Sequence, residues 1–135
     1  MGRLRLIALG YMALLFSVAT LNYIPGLTDA EGRAFGVFAL DIFDDLLHVV
    51  SGLWAGLSAF TSRRAAQIFL RYFGTLYFLD GLLGLATGSG YLDLGILNHG
   101  VLDQPLSFKI MASGPHIAAG GCAVFASWFF ADEVR

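Results

Sequence analysis

Apolar and polar positions along the chain alternate in long blocks, and four of the apolar blocks are of membrane-spanning length. A helix needs roughly 20 mostly apolar residues to cross a bilayer. Leu4 to Leu21 is the first block, with Arg3 and Arg5 at one end and Asn22, Pro25 and Gly26 at the other. Gly36 to Phe60 is the second, carrying Asp41, Asp44 and Asp45 near its start. Ala65 to Thr87 is the third, with Arg71 near one end and Asp80 in its interior. Ile110 to Ala131 is the fourth and holds no charged residue. Between the last two, residues 88–108 are apolar yet broken by Gly90, Gly95, Gly100 and Pro105. That segment is too interrupted for a span and too apolar for a free loop, and it reads as an interfacial piece over the bundle or on the membrane surface. The expected fold is all-α: a four-helix transmembrane bundle forming one domain over residues 1–135.

Composition points the same way. Hydrophobic residues make up 57% of the chain and charged ones 13%, against about 45–50% and about 25% in soluble domains. Too little polar surface remains to cover a water-soluble globule. The net charge of −2 gives no basic face for a nucleic acid. Cys122 is the only cysteine, which excludes an intrachain disulfide or thiolate metal cluster, and it reads as an inert packing residue. The first block also resembles a secretory signal, with Ser17-Val18-Ala19 as a passable cleavage site; it is read as a retained helix. Basic residues orient the bundle. With four spans, Arg3, Arg5, Arg63, Arg64, Arg71 and Arg135 collect on one side and only Arg33 and Lys109 on the other. This places both termini in the cytoplasm and the carboxylates Asp29, Glu31, Asp41, Asp44, Asp45, Asp93 and Asp103 outside.

A shift of 68 residues lays the second span on the fourth: His48 on His116, Gly52 on Gly120, Ala55 on Ala123 and Asp41 on Lys109. The shared spacings put these residues on one helical face, as expected of a duplicated two-helix hairpin. Each hairpin contains two spans, so the copies run the same way. His48 and His116 then sit at similar depth on parallel helices that lie diagonally across the bundle. Asp41 and Lys109, at equivalent positions, are expected to pair at the outer end.

Ionisable residues inside a span are costly and are functional candidates by default. Two readings of the histidines stay open. In one, they are axial ligands of a b-type haem or another tetrapyrrole, with small residues beside them to admit the macrocycle. In the other, each imidazole belongs to a polar network with Asp41, Asp44, Asp45, Asp80 and Lys109. The richness in acids, where haem propionates want cations, favours the network. Pro115 removes one helix hydrogen bond next to His116 and is expected to kink the fourth span. No nucleophile–base set, phosphate loop, nucleotide fingerprint or zinc spacing is present.

The stretch Asp44-Asp45-Leu46-Leu47-His48-Val49-Val50-Ser51-Gly52, followed by a basic hinge and the span Arg71 to Gly88, resembles a family of small bacterial four-helix integral membrane proteins classed as a domain of unknown function. Members carry Asn or Asp, Leu-Leu-His and then Gly in the second span, with a related pattern in the fourth. Here the fourth-span copy, Ser113 to Gly120, keeps the histidine and glycine and lacks the leading acid and leucines. The resemblance covers Asp41 to Trp128, implies the four-helix topology and the bacterial inner membrane, and carries no activity.

The function expected from all of this is a non-enzymatic membrane protein, an accessory or scaffolding subunit of a larger assembly whose partners are the bilayer and other membrane subunits. The alternative is a haem- or pigment-binding subunit in electron transfer or light capture, with His48 and His116 as ligands. The topology is directly testable. In a Cys122→Ala background, Ser62→Cys should resist an impermeant thiol reagent applied outside intact cells and react once the membrane is opened. Labelling from outside alone would reverse the orientation.

Overall fold

A computed structural model describes residues 1–135 and is all-helical. Five α-helices follow one another: α1 (Arg3–Ala19), α2 (Ile42–Thr61), α3 (Arg63–Thr87), α4 (Gly95–His99) and α5 (Leu106–Phe129). Short 3-10 turns follow α1, at Leu21–Tyr23, and α5, at Ala131–Val134. Three segments are long and apolar enough to cross a membrane, namely Arg3–Tyr23, α3 and α5, which marks a membrane protein. The helix α2 has the length, 20 residues, but Asp44, Asp45 and His48 in its first two turns dilute its apolar character.

Local chemistry sets the boundaries. The second helix begins at Ile42 rather than at the expected Gly36, because Asp41 caps it. Its carboxylate accepts from the Phe43 and Asp44 N–H groups at 2.8 and 3.1 Å, while Asp44 accepts from the Asp41 N–H at 3.0 Å, a reciprocal capping box. Residues 24–40 form a folded loop instead, pinned by isolated bridges from Ala34 to Thr28 and Phe38 and by the Asn22 amide, which donates to the Leu40 carbonyl. Outside the spans, the Arg33 backbone N–H holds the Asp29 carboxyl below the usual carboxylate range. A single residue, Ser62, separates α2 from α3, and its hydroxyl accepts from the Ala65 N–H at 3.0 Å to start the second of them. Gly88, at φ +82°, closes α3 in the left-handed conformation. Helix α5 starts at Leu106, earlier than expected, directly after Pro105, so Lys109 lies within the helix.

The two closest packings are α1 on α2 and α3 on α5, while α2 and α5 face each other across the bundle. Glycines make the α3–α5 approach possible. A Cβ on Gly120 would lie 2.6 Å from the Gly74 carbonyl oxygen, and one on Gly81 2.8 Å from the Ile117 nitrogen. Such close backbone contact is how membrane helices gain packing energy without a hydrophobic drive between them. At the terminal end, Glu133 accepts from the backbone N–H groups of Arg3 and Leu4 at 2.9 and 3.3 Å, and the Arg5 guanidinium caps the Ala59 and Phe60 carbonyls at the end of α2. Above these bonds an aromatic column fills the interior: Phe69 stacks on Phe73 at 4.9 Å, and Phe73 meets Tyr77 at 4.2 Å. Cys122 is exposed on the outer face of α5 and does not pack inside as expected, because the helix turns Gly120 and Ala123 inward.

The glycine contact gives a measurable consequence. Gly120→Ala should lower stability by about 1–3 kcal/mol, since the added methyl meets rigid backbone. Gly114→Ala, where no atom lies within 4 Å of the new methyl, should leave stability unchanged or slightly raised. Unfolding in mixed micelles, followed by circular dichroism, compares the two.

Candidate functional site

The aromatic column stops at Tyr77, and beyond it the loop-bearing half of the bundle is hollow. A cavity of about 510 Å³ lies there, walled by α1, α2, α3 and α5 and by the segment that carries α4. Its polar lining includes Asp44, His48, Tyr77, Asp80, Asp93 and His116. Leu14, Leu15 and Val18 of α1 and Ala112 and Ala119 of α5 supply apolar wall. Along this wall α1 and α5 barely touch, and the Tyr11 hydroxyl, donating to the Ala119 carbonyl at 2.6 Å, ties the two helices together at its edge.

Asp80 organises the polar end. It is 4% exposed, and a carboxylate there requires donors. Its Oδ1 accepts from the Tyr91 and Leu92 N–H groups at 2.7 and 2.8 Å, and its Oδ2 from His116 Nδ1 at 2.5 Å. Gly90 permits this, because a Cβ there would sit 2.7 Å from Asp80 Oδ1. The segment that follows α3 is therefore folded back onto the helix it leaves. Tyr91 reinforces the fold, its hydroxyl donating to the Leu76 carbonyl at 2.7 Å; burial, and then the charge of Asp80, raise its pKa.

His48 is held differently. Its Nδ1 lies 2.6 Å from the Asp44 backbone carbonyl, one turn earlier on the same helix. A carbonyl can only accept, so Nδ1 carries a proton, and in the neutral ring the lone pair is on Nε2. The Asp80 carboxylate imposes the same tautomer on His116. Both rings line the cavity, their centroids are 6.1 Å apart, and no protein group bonds to either Nε2. Tyr77 flanks the pair, with its ring 4.8 Å from His116 and 6.4 Å from His48 and its hydroxyl bonded to Ser51 at 3.0 Å.

The other residues singled out in the sequence are placed apart from this pair. Asp41 lines the cavity rim, but its carboxylate serves as the α2 cap. The expected pairing with Lys109 is absent: Lys109 joins no ion pair. Backbone donors two and three residues away reach Asp41 with no side-chain ordering beyond its own, and they win over a long lysine from another helix. Asp45 points away and accepts from the Tyr23 hydroxyl at 2.6 Å. Asp93, His99 and Tyr77 were not assigned to a site from sequence, yet all three line the cavity. Tyr77 could have been found, since it lies three residues before Asp80 on the same face of α3. Asp93 and His99 give no such signal, because only the refolded segment brings them in. No three His, Cys, Asp or Glu side chains converge tightly enough to hold a metal by themselves.

A family model described as "Domain of unknown function (DUF4383)" matches residues 5–110, which include most of α1, all of α2 to α4 and the first residues of α5, with His48, Tyr77, Asp80 and Asp93, and stop short of His116. No curated protein and no solved structure matches the chain.

The Asp80–His116 bond has a signature of its own. In Asp80→Asn the amide oxygen can still accept from Tyr91 and Leu92, but the NH₂ then faces His116 and forces the proton from Nδ1 to Nε2. Nitrogen NMR of the imidazole should report that switch, with a stability loss of about 1–3 kcal/mol. Asp45→Asn, at the exposed Tyr23 contact, should stay within about 0.5 kcal/mol of the parent.

Proposed function

The chain belongs to the DUF4383 family of unknown function, and from the site it carries we propose a four-span, non-enzymatic membrane protein that holds a small ligand in its cavity. The observation that supports this is the pair of inward imidazoles from opposite helices, each with Nδ1 tied down and Nε2 left for the cavity. Apolar residues wall that cavity and a few convergent polar groups occupy one end, the usual make-up of a ligand site. The fourth span is α2. Its Asp44 and His48 face the cavity, while Leu46, Val50, Leu53 and Leu57 are exposed on its outer face, as a lipid-facing surface requires.

The Asp80–His116 dyad has no hydroxyl or thiol bonded to the free imidazole nitrogen, so a nucleophile–base set is not assembled. A binding or accessory role, as a subunit of a larger membrane assembly, accords with the single-residue turn between α2 and α3 and the small terminal face. The basic residues Arg3, Arg5, Arg63 and Arg64 gather at that face and favour a cytoplasmic placement in the bacterial inner membrane.

The haem alternative meets Tyr77. The three ring centroids form a triangle of 6.1, 4.8 and 6.4 Å, so a flat macrocycle centred between the imidazoles would pass through the phenol. Tyr77 is 3% exposed, within the aromatic column. Housing a tetrapyrrole would mean expelling it.

Two measurements on the purified protein test the reading. Mass spectrometry of a solvent extract should find a small molecule with the wild type that is lost from Ala112→Trp, which fills the cavity. Identical extracts would overturn ligand binding. After incubation with haemin, reduced-minus-oxidised spectra of the wild type and the His48→Leu/His116→Leu variant should coincide. A low-spin band confined to the wild type would restore the haem reading.

A further inference from the structure

The proposed cavity leaves open what its two imidazoles take. We propose that His48 Nε2 and His116 Nε2 together bind one divalent transition-metal ion, of the zinc or copper type that favours imidazole, at the polar end of the cavity. The inference rests on reading the cavity as a binding site and adds the class of ligand held there.

Four observations carry it. First, in the neutral rings both nitrogens bear lone pairs, since the Asp44 carbonyl and the Asp80 carboxylate fix each proton on Nδ1. A neutral imidazole with its second nitrogen donating to a carbonyl or carboxylate is the arrangement that orients metal-bound histidine and raises its basicity. Second, the spacing suits a single ion. With metal–nitrogen bonds of about 2.0–2.1 Å, two imidazoles on one ion have centroids about 5 Å apart at a tetrahedral angle and about 6.3 Å apart when opposed; here they are 6.1 Å apart, the spacing of nearly opposed rings. Third, His48 is 6% exposed, and its Nε2 has no protein partner and is not sealed off, so a ligand in the cavity can reach it. Fourth, the Asp80 carboxylate lines the same cavity, giving a field that offsets the cost of bringing a cation to this depth. The same acid that is wrong for haem propionates is right for a bare cation.

With no third protein ligand converging, the remaining coordination positions fall to water or to a small molecule in the cavity. Tyr77 stands beside them, its hydroxyl bonded to Ser51 behind the cavity wall. The ion would thus be an anchor within the larger cavity, open on one side, rather than a closed structural centre.

The test uses the full chain, purified in detergent without a polyhistidine tag and stripped with a chelator. Calorimetric titration with Zn²⁺ alone should show one ion per chain. His48→Gln or His116→Gln should weaken binding at least 100-fold, Asp80→Asn about 10–100-fold because it moves the His116 proton onto Nε2, and Asp132→Asn, exposed at the terminal end, less than twofold. Binding that survives both replacements of the pair, or falls equally with Asp132→Asn, would overturn the site. X-ray absorption of the zinc-loaded wild type guards against variants that fail to fold. Two imidazoles per ion support the assignment, and none or one sinks it. If zinc does not bind while the extracted molecule still vanishes in Ala112→Trp, the metal is wrong and the ligand cavity stands. If neither is seen, both fall.

Discussion

A buried carboxylate cannot be left without donors, and the loop-bearing half of this protein is arranged around meeting that demand for Asp80. Three N–H groups reach it: two from the backbone just after α3 and one from an imidazole on α5. Removing one partner of such a buried set costs far more than the set contributes over an apolar replacement. Asp80 therefore specifies an arrangement more than it adds stability. It fixes where the 88–105 segment returns, which in turn places Asp93 and His99 at the cavity. It also sets the tautomer of His116 and so the chemical character of the nitrogen left over.

The two ends of the bundle solve opposite packing problems. Toward the termini, Phe69, Phe73 and Tyr77 fill the axis, and Gly74 with Gly120 lets α3 and α5 approach backbone to backbone. Toward the loops the axis would have to be filled by His48, His116 and Asp80, and these cannot be packed like aromatics because each needs a polar partner. Small residues on the same faces leave the space open. The cavity is what remains where polar groups replace the aromatic column and no large side chain takes its place.

Much of the helical framework was legible in the sequence, because spans of this length have few alternatives in a bilayer. The alignment of α2 with α5 was legible too, since His48 and His116 recur with the same small-residue spacing. What escaped were features decided by short-range competition. Nothing in the apolar pattern announced that Asp41 would cap α2 and shorten it by six residues relative to Gly36. That same cap removed the Asp41 carboxylate from the expected pairing with Lys109. The course of residues 88–105 was hidden as well, because it depends on Asp80, a residue read as a partner for the histidines and not as an acceptor for the backbone that follows α3.

Helices α2 and α5 each bring one histidine to the cavity, and in each the Nδ1 proton is held, yet the holders differ. On α2 the partner is the helix's own carbonyl at Asp44, an unusual diversion of a side chain toward a backbone acceptor one turn away. On α5 the equivalent carbonyl lies at Ala112, and Pro115 already deprives the neighbouring Met111 carbonyl of its helix donor. The imidazole there turns to Asp80 on the adjacent helix instead. One histidine is thus oriented locally and the other by tertiary structure, so the second is placed only when α3, α5 and the returning segment are all assembled. The two imidazoles come within 6.1 Å of each other only in the complete bundle, and that makes the pair a property of the whole fold rather than of either helix.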